Sequence, residues 1–291
     1  MRKVTYFVVI GLLVALLGCR GGGEPGTVEG VEEPGDGEPT VGTVTEAVEE
    51  SGGAGSERVE QLLESGQAYL EAGEYAEAVR DLEAAVDEAP DNSDAHFLLG
   101  QAYNQSGQLS KAADEFRRVL ELDPESAAAH HNLGVTFYQL EDLSSALDKF
   151  ETALELDPDD PDTHYQLGAT YLTLALSGSE PSAAVDPELL QQARGEFEAA
   201  LALRENMPEA LIGLGNIYLQ QGDYDAAIQT LSQVIEVVPD SREAYYALGG
   251  AYAQSGDIDK ACETYNEFLS LEPPAAWRTQ AEQVMTSLGC E

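Results

Sequence analysis

The chain has 291 residues and a formal net charge of −40, from 14 Lys and Arg against 54 Asp and Glu. So few cations speak against nucleic acid as a partner, because phosphate recognition is built from clustered Lys and Arg. They also speak against adsorption by charge to an anionic lipid surface, while an apolar content of 43% still supports a packed core.

Arg2 and Lys3 form a short basic start, and Val4 to Leu17 is an apolar run. A bilayer-spanning helix needs about 20 apolar residues, so this run is too short to span and reads as an export signal. It ends at Leu16-Leu17-Gly18-Cys19. That ending resembles the bacterial lipobox, with an aliphatic residue at −3, a small one at −1 and cysteine at +1. The resemblance implies cleavage after residue 18, a diacylglycerol on the Cys19 sulfur and a third acyl chain on the new amine. Each buried methylene contributes about 0.8 kcal/mol, so two or three chains hold a protein at a membrane without help from charge. The expected location is the cell envelope, on a membrane face outside the cytoplasm, in the periplasm or at the cell surface. Arg20 rather than Asp after Cys19 favours the outer membrane where a cell has one.

Residues 20–57 are rich in Gly, Glu, Pro, Thr and Val and carry no aromatic residue. Such a segment buries too little apolar surface to offset its ordering entropy. Residues 19–57 are therefore expected to be a lipidated cysteine and a disordered acidic linker, with a reach of roughly 35 Å.

From residue 59 the chain repeats. GQAYLEAGEYAEAVRDLEAAVDEAP (66–90) is followed by GQAYNQSGQLSKAADEFRRVLELDP (100–124) and GVTFYQLEDLSSALDKFETALELDP (134–158). Gly66, Gly100 and Gly134 are 34 apart, as are Pro90, Pro124 and Pro158, and Ala78, Ala112 and Ala146. Two further copies begin at Gly215 and Gly249. A 34-residue unit with these markers resembles the tetratricopeptide repeat. The resemblance implies an all-α solenoid, a right-handed superhelix of six helix hairpins over 59–274 with a capping helix over 275–291. Glycine lets the paired helices approach, Tyr69, Tyr103, Phe137, Tyr171, Tyr218 and Tyr252 pack between helices, and proline ends each second helix. The turn glycines are Gly73, Gly107, Gly222 and Gly256. Gly168 and Gly215 are 47 apart, so the fourth repeat carries an insertion of 13 residues between Tyr171 and Ala193. Within it Asp186-Pro187 reads as an N-cap followed by a first-turn proline.

His96, His130 and His164 also lie 34 apart. Packed helices are about 8–10 Å apart, so these rings cannot share one ion and are read as packing residues; no metal site is expected. No HExxH, phosphate-cradling Gly-Lys-Ser/Thr loop or GxSxG is present, so neither an enzyme nor a cofactor is expected. Cys262 and Cys290 lie on antiparallel helices whose ends meet, in a chain exported to an oxidising space. They close a disulfide or remain two free thiols.

The resemblance further implies a concave wall made by the first helices. Its fifth positions are Leu63, Phe97, His131, Tyr165, Ile212 and Tyr246, with Gln101, Asn104, Tyr138 and Asn216 beside them. Family members that grip a C-terminal carboxylate use Lys or Arg here, and after Arg58 the first helices of the repeats offer only Arg242. Aromatic and amide groups rimmed by Asp94, Asp162, Glu209 and Glu243 suit an extended or helical peptide that is apolar or basic. No small-molecule substrate is expected. The architecture also resembles pilus-assembly pilotins, which are lipoproteins with about six such repeats. The expected function is a membrane-anchored scaffold for protein–protein interaction in an envelope assembly. The alternative is an accessory subunit that recruits or regulates a cell-wall enzyme.

Overall fold

The structure is a computed structural model that describes residues 48–177 and 185–290, with side chains from residue 55 onward. The expected signal segment, Cys19, most of the linker and the inserted residues 178–184 lie outside the described residues. Among those described there are thirteen helices and no strand: α1 Val48–Ala72, α2 Tyr75–Glu88, α3 Ser93–Gln105, α4 Leu109–Leu122, α5 Ala127–Gln139, α6 Leu143–Leu156, α7 Pro161–Leu176, α8 Pro187–Leu203, α9 Pro208–Gln221, α10 Tyr224–Val237, α11 Arg242–Ser255, α12 Ile258–Ser270 and α13 Ala275–Leu288. They pair in order as six hairpins, with α13 added at the end. None is long and apolar enough to cross a membrane.

Side-chain caps set the helix starts. Asn92, Ser126, Asp160 and Ser241 accept backbone N–H groups at the starts of α3, α5, α7 and α11. Asp142, Asp186, Asp223 and Asp257 do the same for α6, α8, α10 and α12. Each satisfies donors that a helix start leaves unpaired and places a side-chain oxygen at the positive end of the dipole. The short turns of the first, second, fifth and sixth hairpins take a left-handed residue, which glycine supplies at Gly73, Gly107, Gly222 and Gly256. The third repeat has no glycine there. Glu141 takes the position at φ 62°, and Asp142 N–H still donates to the Phe137 carbonyl at 3.0 Å, as Gln108 does to Tyr103.

The packing divides the chain into two compact units that part between Leu122 and Asp123. In the first, Leu82, Leu99, Phe116 and Val119 are buried among alanines. In the second, Phe150, Leu167, Tyr171, Phe197 and Ile217 form one apolar cluster, and Leu231, Tyr246, Tyr265 and Phe268 form another. The repeat glycines determine how closely each hairpin closes. A Cβ on Gly134 would lie 2.7 Å from Phe150, and one on Gly215 would lie 2.6 Å from Leu231. Within the first unit α1 touches α3, and within the second α5 touches α7, α7 touches α9 and α9 touches α11. Successive first helices therefore line one side of each unit.

One expectation is corrected. The linker was expected to run to residue 57, yet α1 begins at Val48. Its core-facing part from Val59 onward nucleates the helix, and propagation back through Glu and Ala then costs little. In the fourth repeat Asp186 caps α8 and Pro187 opens it, as read from the sequence, and part of the insertion lengthens the two helices. α7 has 16 residues and α8 has 17, against 13 or 14 in the other hairpins from α2 to α12. Asp186 N–H closes the gap by donating to the Ala175 carbonyl at 3.3 Å.

Candidate functional site

The fifth-position side chains of the first helices are held by their own hairpins. Phe97 meets Phe116 edge-on at 5.8 Å between ring centroids, His131 meets Phe150 at 5.9 Å, Tyr165 meets Phe197 at 6.0 Å and Tyr246 meets Tyr265 at 5.9 Å. Each partner ring on the second helix is the one that fills the space beside the repeat glycine. Each wall residue is therefore braced from behind, and Phe97, His131 and Tyr165 remain half-buried, with one edge open.

In the first unit Phe97 and Gln101 lie half-buried on α3 beside Asn104. In the second unit the wall carries the more elaborate chemistry. His131 Nδ1–H donates to Thr163 Oγ1 at 2.6 Å, and the Thr163 hydroxyl donates to Asp160. That order places the proton on Nδ1 and leaves Nε2 as an acceptor. Burial lowers the His131 pKa, against the opposing pull of Asp160 and Asp162. Burial also pushes Asp160 up, but the Thr163 hydroxyl and the Asp162 N–H outweigh it and hold the carboxyl below its ordinary range. The Tyr138 hydroxyl donates to Thr173 Oγ1 at 3.0 Å, whose own hydrogen goes to the Ala169 carbonyl. Burial pushes Tyr165 up to about 12, with Tyr138 and Glu209 adding to the effect. His131, Tyr138, Tyr165, Thr163, Thr173 and Glu209 thus belong to one stretch of wall across α5, α7 and α9.

Two of the wall residues named from the sequence are placed differently. Asn216 is buried within α9, at 9% exposure. Tyr246 is 2% exposed because α13 covers it: Trp277 lies 5.6 Å from its ring, and its hydroxyl donates to Gln280 at 3.3 Å. Arg242, the one first-helix cation of the later repeats, donates to the Leu271 carbonyl at 2.8 Å. At the rim, Arg204 holds Asp162 by two bonds of 2.7 and 2.9 Å.

The spaced histidines are packing residues. Nε2 of His96, His130 and His164 each meets the carbonyl of the proline six residues earlier, at 2.9, 3.1 and 3.0 Å. His96 and His164 complete the arrangement with Glu115 and Glu196 on their second helices. In the third repeat Lys149 stands where those glutamates stand, and His130 Nδ1 is buried without a partner. Among the described residues no three His, Cys, Asp or Glu come together as metal ligands. Two inter-repeat bonds escaped sequence reasoning: Tyr103 donates to Glu83, and Tyr171 donates to Glu151 at 2.9 Å. Their signal is a Tyr that recurs 20 residues after a Glu. Cys262 and Cys290 are joined as a disulfide, with Cα atoms 5.6 Å apart.

Family models described as tetratricopeptide repeat match residues 63–127, 182–233 and 243–274, and one described as TPR repeat matches 136–174 and 215–256. The chain belongs to the tetratricopeptide repeat family. Tetratricopeptide repeat proteins mediate protein–protein interactions and bind protein or peptide partners. Comparison with curated proteins gave no match. Among solved structures the fold is similar to pilF of Pseudomonas aeruginosa, with a TM-score of 0.65, 21% identity and coverage of 79% of this chain and 99% of that one. It is similar to a tetratricopeptide repeat protein of Parabacteroides merdae, with a TM-score of 0.62, 19% identity and coverage of 80% and 89%. It is also similar to YrrB, a TPR protein with an unusual peptide-binding site, with a TM-score of 0.53, 24% identity and coverage of 69% and 97%. At these identities the likeness is one of fold.

Proposed function

We propose that the chain is a lipid-anchored scaffold outside the cytoplasm, whose first-helix wall captures a protein segment within a cell-envelope assembly. The observation that carries this reading is the half-open wall of α5 and α7. There His131, backed by Phe150, offers an acceptor nitrogen, Tyr165, backed by Phe197, offers an aromatic edge, and Tyr138, tied to Thr173, offers another. A wall braced in this way binds without first ordering its own side chains. The rim is acidic: Glu209 and Glu243 occupy the same repeat position in consecutive hairpins. An apolar segment bearing Lys or Arg complements both features. The peptide-binding site of YrrB, a protein of the same fold, agrees with capture of a segment of chain. Cys19 after the apolar run supports the anchor, and the acidic linker supports display away from the bilayer.

Radiolabelled palmitate tests the anchor. The label enters the protein and is lost in Cys19→Ser, and equal labelling of both forms would refute it. Tyr138→Ala and the double variant Glu209→Gln with Glu243→Gln test the wall. Both should weaken binding of the protein recovered by crosslinking in cells while helicity is unchanged. Unchanged binding in both variants would place the site elsewhere.

A further inference from the structure

The C-terminal cap differs from the other described helices in how it is held. α13 follows α12 through Leu271–Pro274, a short link in which Glu272 sits at φ 50°. A side-chain-bearing residue is strained in that region of backbone space. Pro273 and Pro274 follow it and stiffen the hinge. The packing face of α13 is apolar and aromatic. Trp277 stacks on Phe268 at 6.2 Å and lies against Tyr246, Ala281 is fully buried, and Val284, Met285 and Leu288 join the same cluster. The other side is polar at the repeat-glycine position. Gln283 stands where Gly249 stands in the preceding first helix, and it is exposed. Finally, Cys290, just past the end of α13, is bonded to Cys262 on α12.

A short strained hinge joined to a complementary helix is the arrangement that permits exchange of that helix between copies. The occupant that fits the face formed by Tyr246, Tyr265 and Phe268 is already on it, namely an α13 helix. We propose that the Cys262–Cys290 disulfide keeps the cap within its own chain, and that the reduced protein exchanges α13 between two copies to form a dimer. A dithiol reductant supplies two electrons and two protons to the sulfur–sulfur bond. Cys262 and Cys290 become thiols, and the dithiol closes to its own disulfide. In the exchanged dimer each cap makes the contacts it makes in the monomer, while the opened link relieves Glu272. Protein concentration then sets the balance, because one form is unimolecular and the other bimolecular.

The exchanged state has a covalent signature: Cys262 of one copy lies beside Cys290 of the other. The full chain carrying Cys19→Ser, so that no lipid or third thiol contributes, is prepared with natural and with heavy nitrogen. The two preparations are mixed, reduced with dithiothreitol, concentrated, and reoxidised with glutathione disulfide. Non-reducing peptide mass mapping is expected to find light–heavy Cys262–Cys290 pairs rising toward about one half of the bridged peptide. These should run at dimer mass, with the emission of Trp277, the single tryptophan, at its monomer wavelength. A sample never reduced should contain like-isotope pairs alone. Like-isotope pairs alone after reduction would overturn the proposal. So would mixed pairs with Trp277 emission shifted to that of an exposed indole, because the caps would then be cross-linked without being docked.

Discussion

Tyr265 on α12 fills the space beside Gly249 that Phe116 and Phe150 fill in their own repeats. Its ring is fully buried, and its hydroxyl has no hydrogen-bonding partner in the protein. Burial, with Tyr246 beside it, pushes the phenol well above its ordinary range. A buried polar group left unsatisfied costs about 1–3 kcal/mol, whereas the aromatic contacts with Tyr246 and Gly249 belong to the ring. Tyr265→Phe removes the hydroxyl and keeps the ring. It should therefore stabilise the C-terminal repeats by about 1–3 kcal/mol. At about 2–4 °C per kcal/mol for a domain of this size, the melting temperature should rise by several degrees. Urea unfolding followed by Trp277 fluorescence measures the change, since Trp277 stacks on the same cluster. Tyr171→Phe is the contrasting variant. Its hydroxyl donates to Glu151 at 2.9 Å, so removal should cost about 0.5–1.5 kcal/mol. A Tyr265→Phe protein no more stable than the parent would refute the reasoning, because the hydroxyl would then have to be satisfied.

Other consequences follow from the same packing. Reducing the disulfide, or the pair Cys262→Ser with Cys290→Ser, should cost about 3 kcal/mol in dilute solution, read as an earlier urea midpoint for Trp277. Gly195 lies in α8, and a methyl group added to its Cα would have nothing within 4 Å. Gly195→Ala should therefore stabilise by about 1 kcal/mol, while Gly134→Ala should destabilise against the Phe150 ring; thermal unfolding by circular dichroism separates the two signs. Burial first, aided by Glu151 for Tyr171 and by Tyr138 and Glu209 for Tyr165, raises Tyr165, Tyr171 and Tyr246 to about 12. A raised phenol contributes stability that is fully present below its unfolded pKa of about 10 and lost as pH rises through the folded value. Stability should therefore fall between about pH 10 and 12, together with the absorbance rise of phenolate, and an unfolding midpoint flat across that range would contradict the placement of these rings.

The hairpins were legible because a repeat multiplies weak signals. A single Gly or Pro says little, but Gly66, Gly100 and Gly134 at one spacing, each 12 residues before the small Ala78, Ala112 and Ala146, define a packed pair. The turn at Glu141 was not legible, because the hairpin geometry forces a left-handed backbone on a residue that disfavours it. The wall was half legible. Its fifth positions follow from the register, but the bonds of His131 to Thr163 and of Tyr138 to Thr173 run between repeats, where the register alone does not say which atoms meet. Tyr246 was read as open because it shares the register of Phe97 and His131; its burial depends on where α13 docks, and that is decided by Trp277 and Gln280. The start of α8 was legible in Asp186-Pro187, but the extension of α7 to Leu176 was not, because alanine and leucine extend a helix as readily as they line a loop.

The central claim is that a partner segment lies against the first helices of the second unit. A photo-crosslinking amino acid placed at Tyr138 on α5, and separately at exposed Glu155 on α6, tests it in living cells. The account predicts that one protein is captured from position 138, that an apolar segment bearing Lys or Arg carries the crosslink, and that position 155 captures none of it. Capture from position 155 with none from 138 would contradict the account.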